Sequence, residues 1–168
     1  MAKIYLLLGG NIGDRVAYLK KAGEKIAGSI GDITCTSSVY ETQPWGFSHE
    51  TPFLNWLIVS ETPLEPSEAM KTILDIERQL GRVREGMGFK ARTIDIDILF
   101  YDDIIISEKD LVIPHPQIHN RRFALEPLAE VEREFVHPVF MKTIDRLLDE
   151  CPDHLDVRKL DISLLKDI

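Results

Sequence analysis

The chain has only two cysteines, Cys35 and Cys151, in 168 residues. They lie far apart and fit no C-x-x-C pattern, so neither a zinc site nor a disulfide framework is indicated. Free thiols in a reducing cytosol are the expectation. Long apolar runs are also missing. The stretch Ile4 to Leu8 is too short for a signal-peptide core, and no run approaches membrane-spanning length. The chain therefore reads as cytoplasmic. Positive charge is scarce as well: the formal net charge is −8, which argues against general binding to nucleic acid or to an anionic membrane. Internal repeats and low-complexity tracts do not occur.

What is present is ordinary in bulk and uneven in detail. Apolar content of 44% and charged content of 29% suit a globular protein. The length suits one domain over residues 1–168, with 152–168 as a C-terminal tail, and a monomer is expected. Residues 78–92 hold Arg78, Arg82, Arg84, Lys90 and Arg92 against a single acid, Glu85. One short segment is thus a basic island in an acidic chain.

The order of elements is legible from periodicity. Lys3 to Leu8 is a nearly continuous apolar run, the mark of a buried central strand. Gly9-Gly10-Asn11-Ile12-Gly13-Asp14 follows as a tight loop into a helix with Val16, Leu19, Gly23, Ile26 and Ala27 on its apolar stripe. The spacing is wrong for a G-x-G-x-x-G dinucleotide loop, so turn chemistry explains the glycines. Asp32 to Thr42 and Phe53 to Ser60 read as strands, joined by a long linker that holds Trp45 and Phe47. Asn55 shares a face with Phe53, Leu57 and Val59. A buried amide there needs partners, either nearby backbone or a ligand edge. Pro66 opens a helix that runs to about Leu80 and stops at Gly81, with Glu77 the odd member of its inner stripe. The glycine- and charge-rich segment 81–90 reads as a mobile loop.

The segment 91–100 alternates with period two. Ile94, Ile96, Ile98 and Phe100 point one way; Thr93, Asp95, Asp97 and Leu99 point the other. Arg92 falls on the parity opposite to the two aspartates if the strand begins there. Two carboxylates on one half-buried face repel each other and lose hydration. A hard divalent cation or arginine side chains would offset that cost, and a solvated strand end remains open. Asp102-Asp103 then reads as a hairpin turn into Ile104-Ile105-Ile106. The extended segment 113–120 carries His115 and His119 at zinc-like spacing, but Pro114 and Pro116 forbid the helix such a pair needs. Arg122 to Glu130 reads as a short helix broken or kinked by Pro127, and Thr143 to Cys151 as another. The resulting β-α-β-β-α-β series predicts an α+β, ferredoxin-like sandwich, a mostly antiparallel sheet with helices packed on it.

Aspartates, arginines and a histidine in this arrangement suit magnesium and phosphate oxygens. The motif Arg92-Thr93-Ile94-Asp95-Ile96-Asp97-Ile98, with Pro114-His115-Pro116 and Asn120-Arg121, closely resembles the 6-hydroxymethyl-7,8-dihydropterin pyrophosphokinases of folate biosynthesis. Leu8-Gly9-Gly10-Asn11, Tyr40-Glu41-Thr42-Gln43-Pro44, Phe53-Leu54-Asn55, Glu77 and Gly81-Arg82-Val83-Arg84 extend the likeness. The resemblance implies transfer of a diphosphoryl group from ATP to the pterin hydroxymethyl, with release of AMP. It implies two Mg2+ ions on Asp95 and Asp97, and Arg82 and Arg92 with them in catalysis. ATP would meet Glu77, Arg84, Arg92, Ile98, His115 and Arg121. The pterin would meet Thr42, Pro44, Trp45 and Asn55, with Phe53 and Phe123 sandwiching its ring. Phe53 stands where a tyrosine often occurs, Phe89 where a tryptophan can, and Pro116 where an aromatic is common. The competing expectations are another D-x-D transferase that uses nucleotides and a non-catalytic ferredoxin-like ligand-binding module.

Overall fold

Strand β1 (Ala2–Gly10) is the spine of the molecule, and its run from Ile4 to Leu8 is buried because both of its faces are covered. In the computed structural model, which describes residues 1–43, 51–81 and 93–164, Ile4, Leu6 and Leu8 enter one core while Tyr5 and Leu7 enter another. Helix α1 (Arg15–Ser29) follows, its first turn capped by the Asp14 carboxylate, which accepts from the Ala17 N–H at 3.1 Å. Then come β2 (Asp32–Thr42), β3 (Phe53–Thr62), α2 (Pro66–Gln79) and β4 (Asp95–Tyr101). A two-stranded ribbon, β5 (Ile106–Glu108) with β6 (Leu111–Ile113), leads to a single 3-10 turn at Ile118–Asn120. Helices α3 (Arg122–Glu132) and α4 (Ile144–Asp149) and strand β7 (Val157–Leu160) complete the described chain.

The sheet runs β4-β1-β3-β2-β7, with every neighbouring pair antiparallel. Each βαβ unit is split by one strand: β3 lies between β1 and β2, and β1 between β3 and β4. This is the ferredoxin-like α+β arrangement expected from the element order. Helices α1 and α2 seal one face through Leu19, Ile26, Ile73 and Ile76. Helices α3 and α4 seal the other through Leu125, Leu128, Ile144 and Leu147.

Several local expectations are corrected. Gly9 and Gly10 belong to β1 rather than to a turn. Val16 lies exposed, and α1 buries Leu19, Ala22, Gly23 and Ile26 instead. Helix α3 runs unbroken through Pro127 to Glu132. The turn at Asp102-Asp103 exists, with the Ile104 N–H on the Tyr101 carbonyl at 3.2 Å. The chain does not return along β4, however: Ile106 pairs with Ile113 in the separate ribbon. Phe100 also changes sides. The register passes from Tyr5↔Phe100 to Leu6↔Ile98, so Leu99 is an inserted residue. A bulge of this kind reverses the alternation. Phe100 joins Tyr5 and Phe135 beneath α3, while Tyr101 faces α2. Within the tail, β7 adds a fifth strand beside β2. The loop expected at 81–90 lies, from residue 82 onward, outside the described residues.

Candidate active site

The site is a row across the sheet. Asp95 is registered against Gly9, Gly9 against Asn55, and Asn55 against Tyr40. Directly opposed residues in antiparallel strands share a face, so these four do too. The next row on that face is Asp97, Leu7 and Leu57. Leu7 and Leu57 pack with α3 and α4, and the Tyr40 hydroxyl donates to Glu130 of α3. The carboxylates therefore lie on the α3 side, opposite the α1 and α2 helices. Strand spacing sets Asp95 and Asn55 about 10 Å apart, and the rise per residue sets Asp95 and Asp97 about 7 Å apart.

Asn55 is buried, 4% exposed, and its Nδ2 donates to the Thr42 hydroxyl at 2.8 Å. Thr42 is in turn registered against Phe53, which puts both on the same face as Asn55. Gly9 is the floor between the amide and Asp95. A methyl at Gly9 would lie 3.0 Å from the Asn55 Oδ1, so the missing side chain is what leaves room for the amide. The register gives Gly9 this role, in place of the turn that its sequence suggests.

The other wall comes from the segment after β6. The His115 N–H donates to the Leu99 carbonyl at 3.0 Å, which ties this segment to the edge strand. The His115 Nδ1 accepts from the Gln117 N–H at 3.1 Å, so the ring proton sits on Nε2. Burial, with the nearby Arg121 charge, lowers the His115 pKa to about 4 against a smaller opposing pull from Asp95. The ring is neutral at pH 7 and offers a hydrogen-bond donor rather than a charge. Arg121 precedes the first turn of α3, with its guanidinium 5.8 Å from the Phe123 ring centre. Phe53 and Phe123 are both half-buried. The Thr93 Oγ1 and the His119 Nδ1 are buried without a hydrogen-bond partner among the described residues.

Thr42, Phe53, Asn55, Asp95, Asp97, His115, Arg121 and Phe123 thus converge on the α3 side of the sheet. Two expected residues lie elsewhere. Ile98 is buried among Ile94, Ile96 and the α1–α2 core. Glu77, 1% exposed, approaches from α2, and its Oε2 accepts the Ile96 N–H at 2.9 Å. It caps the outer edge of β4 from beneath. Pro44, Trp45, Arg82, Arg84 and Arg92 lie outside the described residues, as does the parity of Arg92. Among the described residues, no group of three or more His, Cys, Asp or Glu is placed to hold a metal. Two carboxylates fit a hard cation whose other positions are filled by water or phosphate, since magnesium rarely takes an all-protein cage. No helix among the described residues is long and apolar enough to cross a membrane.

The chain is similar to known proteins. The family model described as 7,8-dihydro-6-hydroxymethylpterin-pyrophosphokinase (HPPK) matches residues 5–133. A 2-amino-4-hydroxy-6-hydroxymethyldihydropteridine pyrophosphokinase of Aquifex aeolicus is 40% identical over 150 residues, 89% of this chain and 92% of the relative. Its Bacillus subtilis namesake is 40% identical over 128 residues, 76% of each chain. The chain spans only 20% of the folic acid synthesis protein fol1 of Pneumocystis carinii, at 34% identity. Among solved structures, wild-type Plasmodium falciparum HPPK-DHPS superposes with a TM-score of 0.74 at 19% identity. That match covers 89% of this chain and 44% of the other, and it supports the fold alone. With the family model matching most of the chain and relatives 40% identical over most of its length, the chain belongs to the 7,8-dihydro-6-hydroxymethylpterin-pyrophosphokinase family.

Proposed function

We propose that this chain transfers the β,γ-diphosphoryl group of ATP to the hydroxymethyl oxygen of 6-hydroxymethyl-7,8-dihydropterin, a step of folate biosynthesis. The observation that carries the reading is the shared face: a buried amide-and-threonine pocket lies two strands from a carboxylate pair. The Asn55 amide reads the polar edge of the pterin, steadied by Thr42, while Phe53 and Phe123 supply flat apolar surfaces for its ring. Pro44 and Trp45 belong to the same pocket in this reading. Asp95 and Asp97 would hold magnesium, two ions in our assignment. When bound, the metal supplies charge neutralisation and orientation of the triphosphate.

The chain's own cations and donors act beside it. The neutral His115 donates through Nε2 to a phosphate oxygen, and Arg121 adds a fixed fork of donors. Arg82, Arg84 and Arg92 complete the phosphate contacts. The hydroxymethyl oxygen bonds to the β-phosphorus, the bond from that phosphorus to the oxygen bridging the α-phosphate breaks, and AMP departs. The hydroxyl proton passes to water. Positioning and electrostatics carry the rate, as is general for phosphoryl transfer. We assign the reaction to the cytoplasm and to a monomer whose partners are ATP and the pterin, not nucleic acid or membrane.

Incubation with ATP, magnesium and 6-hydroxymethyl-7,8-dihydropterin tests the reading. The expected products are AMP and the pterin diphosphate; ADP alone, or no turnover, refutes it. Asp97→Asn should lower kcat by about a hundredfold or more while leaving the unfolding midpoint in place. Retained activity at saturating magnesium removes Asp97 from the chemistry.

A further inference from the structure

Where β2 ends and β3 begins, the pocket residues Thr42 and Phe53 face each other, and both are flanked by a charged clamp that the mechanism does not use. Arg15, in the first turn of α1, donates through one guanidinium nitrogen to the Glu41 Oε2 at 3.0 Å and to the Pro52 carbonyl at 3.0 Å. The other carboxylate oxygen of Glu41 accepts from the Arg158 Nη2 of β7 at 2.8 Å. Beside them, the buried Asn11 donates from Nδ2 to the Thr51 carbonyl at 3.2 Å. Glu41 immediately precedes Thr42, and Thr51 and Pro52 immediately precede Phe53. A single arginine therefore joins the end of one pocket strand to the entry of the next. Arg158 reaches the carboxylate only because β7 pairs with β2 in the register Glu41↔Arg158, and β7 lies beyond the residues 5–133 matched by the family model.

We infer that Arg15 is a positioning residue for the pterin pocket, aligning Thr42 with Phe53 through Glu41 and the Pro52 carbonyl, and that Asn11 supports it at Thr51. The inference rests on the pterin assignment above. The arginine is three-quarters buried and bonds a carboxylate and a carbonyl at once, so its loss frees two groups together. Arg158 is 72% exposed; an exposed pair contributes little, and its role is secondary. Arg15 and Glu41 bond to each other, to the Pro52 carbonyl and to Arg158, all at the Thr42 and Phe53 ends of their strands, so the effect is expected on the pterin rather than on ATP.

Arg15→Ala should raise KM for the pterin about tenfold and leave KM for ATP within about twofold, the size of one lost charged hydrogen bond. Arg15→Lys should recover part of the loss, because it keeps the charge without the fork. Arg15→Ala and Glu41→Ala combined should cost less than the sum of the two single changes. Arg158→Ala should stay within about threefold. An unchanged pterin KM in folded Arg15→Ala, or equal rises for both substrates, overturns the inference. Hydrogen exchange of the Thr51, Phe53, Leu54 and Asn55 amides needs no turnover and separates this idea from the pterin reading. Faster exchange there in Arg15→Ala supports the clamp, and unchanged exchange overturns it whether or not the wild type forms AMP.

Discussion

Replacing Gly9 with alanine should damage pterin binding without harming the fold. The added methyl would sit 3.0 Å from the Asn55 Oδ1 and 3.3 Å from the Leu54 carbonyl oxygen. Ordinary contact begins a few tenths of an ångström farther out. The strand backbone is pinned on both sides by β3 and β4, so the side-chain amide is the part that yields. It is held by one 2.8 Å bond to Thr42, and turning it away weakens that bond along with those it offers a ligand. One or two such bonds at about 1 kcal/mol each correspond to about a 5- to 30-fold rise in the pterin KM. The backbone effect has the opposite sign. Alanine in a strand interior is favoured over glycine by roughly 0.5–1 kcal/mol, which offsets the crowding. The unfolding free energy from urea titration should therefore stay within about 1 kcal/mol of wild type, with KM for ATP unchanged. A folded variant whose pterin KM equals wild type would falsify the view that Gly9 is the pocket floor. An equal rise in both constants would point instead to a distorted sheet.

Two further outcomes follow from buried polar groups. Burial holds both His115 and His137 at about 4, with Arg121 adding to the effect on His115 and His119 to that on His137. From pH 6.5 down to about 4 the unfolded chain binds protons that the native chain refuses, so stability falls as pH drops through that window, by about 3 kcal/mol for each histidine. Urea midpoints at pH 7.5, 6 and 5 check this; a flat profile refutes it. Glu77→Ala should cost about 1–3 kcal/mol because it strands the Ile96 N–H, and Glu77→Gln, which keeps an acceptor, should recover most of it. Unchanged stability with a raised KM for ATP would assign the carboxylate to the nucleotide instead.

Much of the framework was legible because local chemistry and tertiary packing agree. The apolar run of β1, Pro66 at the start of α2 and Gly81 at its end each carry their own reason in the sequence. The site was partly legible: carboxylates at i and i+2 on one strand face, and an amide among apolar side chains, are anomalies visible without coordinates. What periodicity could not reveal depends on distant partners. The four residues of β7 acquire meaning only beside β2, over a hundred positions earlier in the chain. The path after Asp103 was misjudged because the edge of β4 is already taken. The Glu77 carboxylate holds the Ile96 N–H, and the His115 N–H holds the Leu99 carbonyl, where a returning strand would have bonded. Gly9 was misread because glycine usually punctuates, whereas here it makes room.

The inserted Leu99 is the point at which fold and site are reconciled. Below it, strict alternation sends Ile94, Ile96 and Ile98 into the α1–α2 core and turns Asp95 and Asp97 toward α3. Above it, the opposite parity is required. Phe100 must meet Tyr5 and Phe135 under α3, and the Tyr101 hydroxyl must reach the Leu64 carbonyl at 2.7 Å on the α2 side. No single alternating strand satisfies both demands. Without the extra residue, one half would face the wrong way, since a one-residue slip reverses every side chain. Either the carboxylates would be driven into an apolar core, where unpaired charges are untenable, or the aromatic packing would be lost. Bulges recur next to active sites because they let a strand serve two registers. In β4 that freedom is what lets two aspartates stand on a face whose continuation is hydrophobic core.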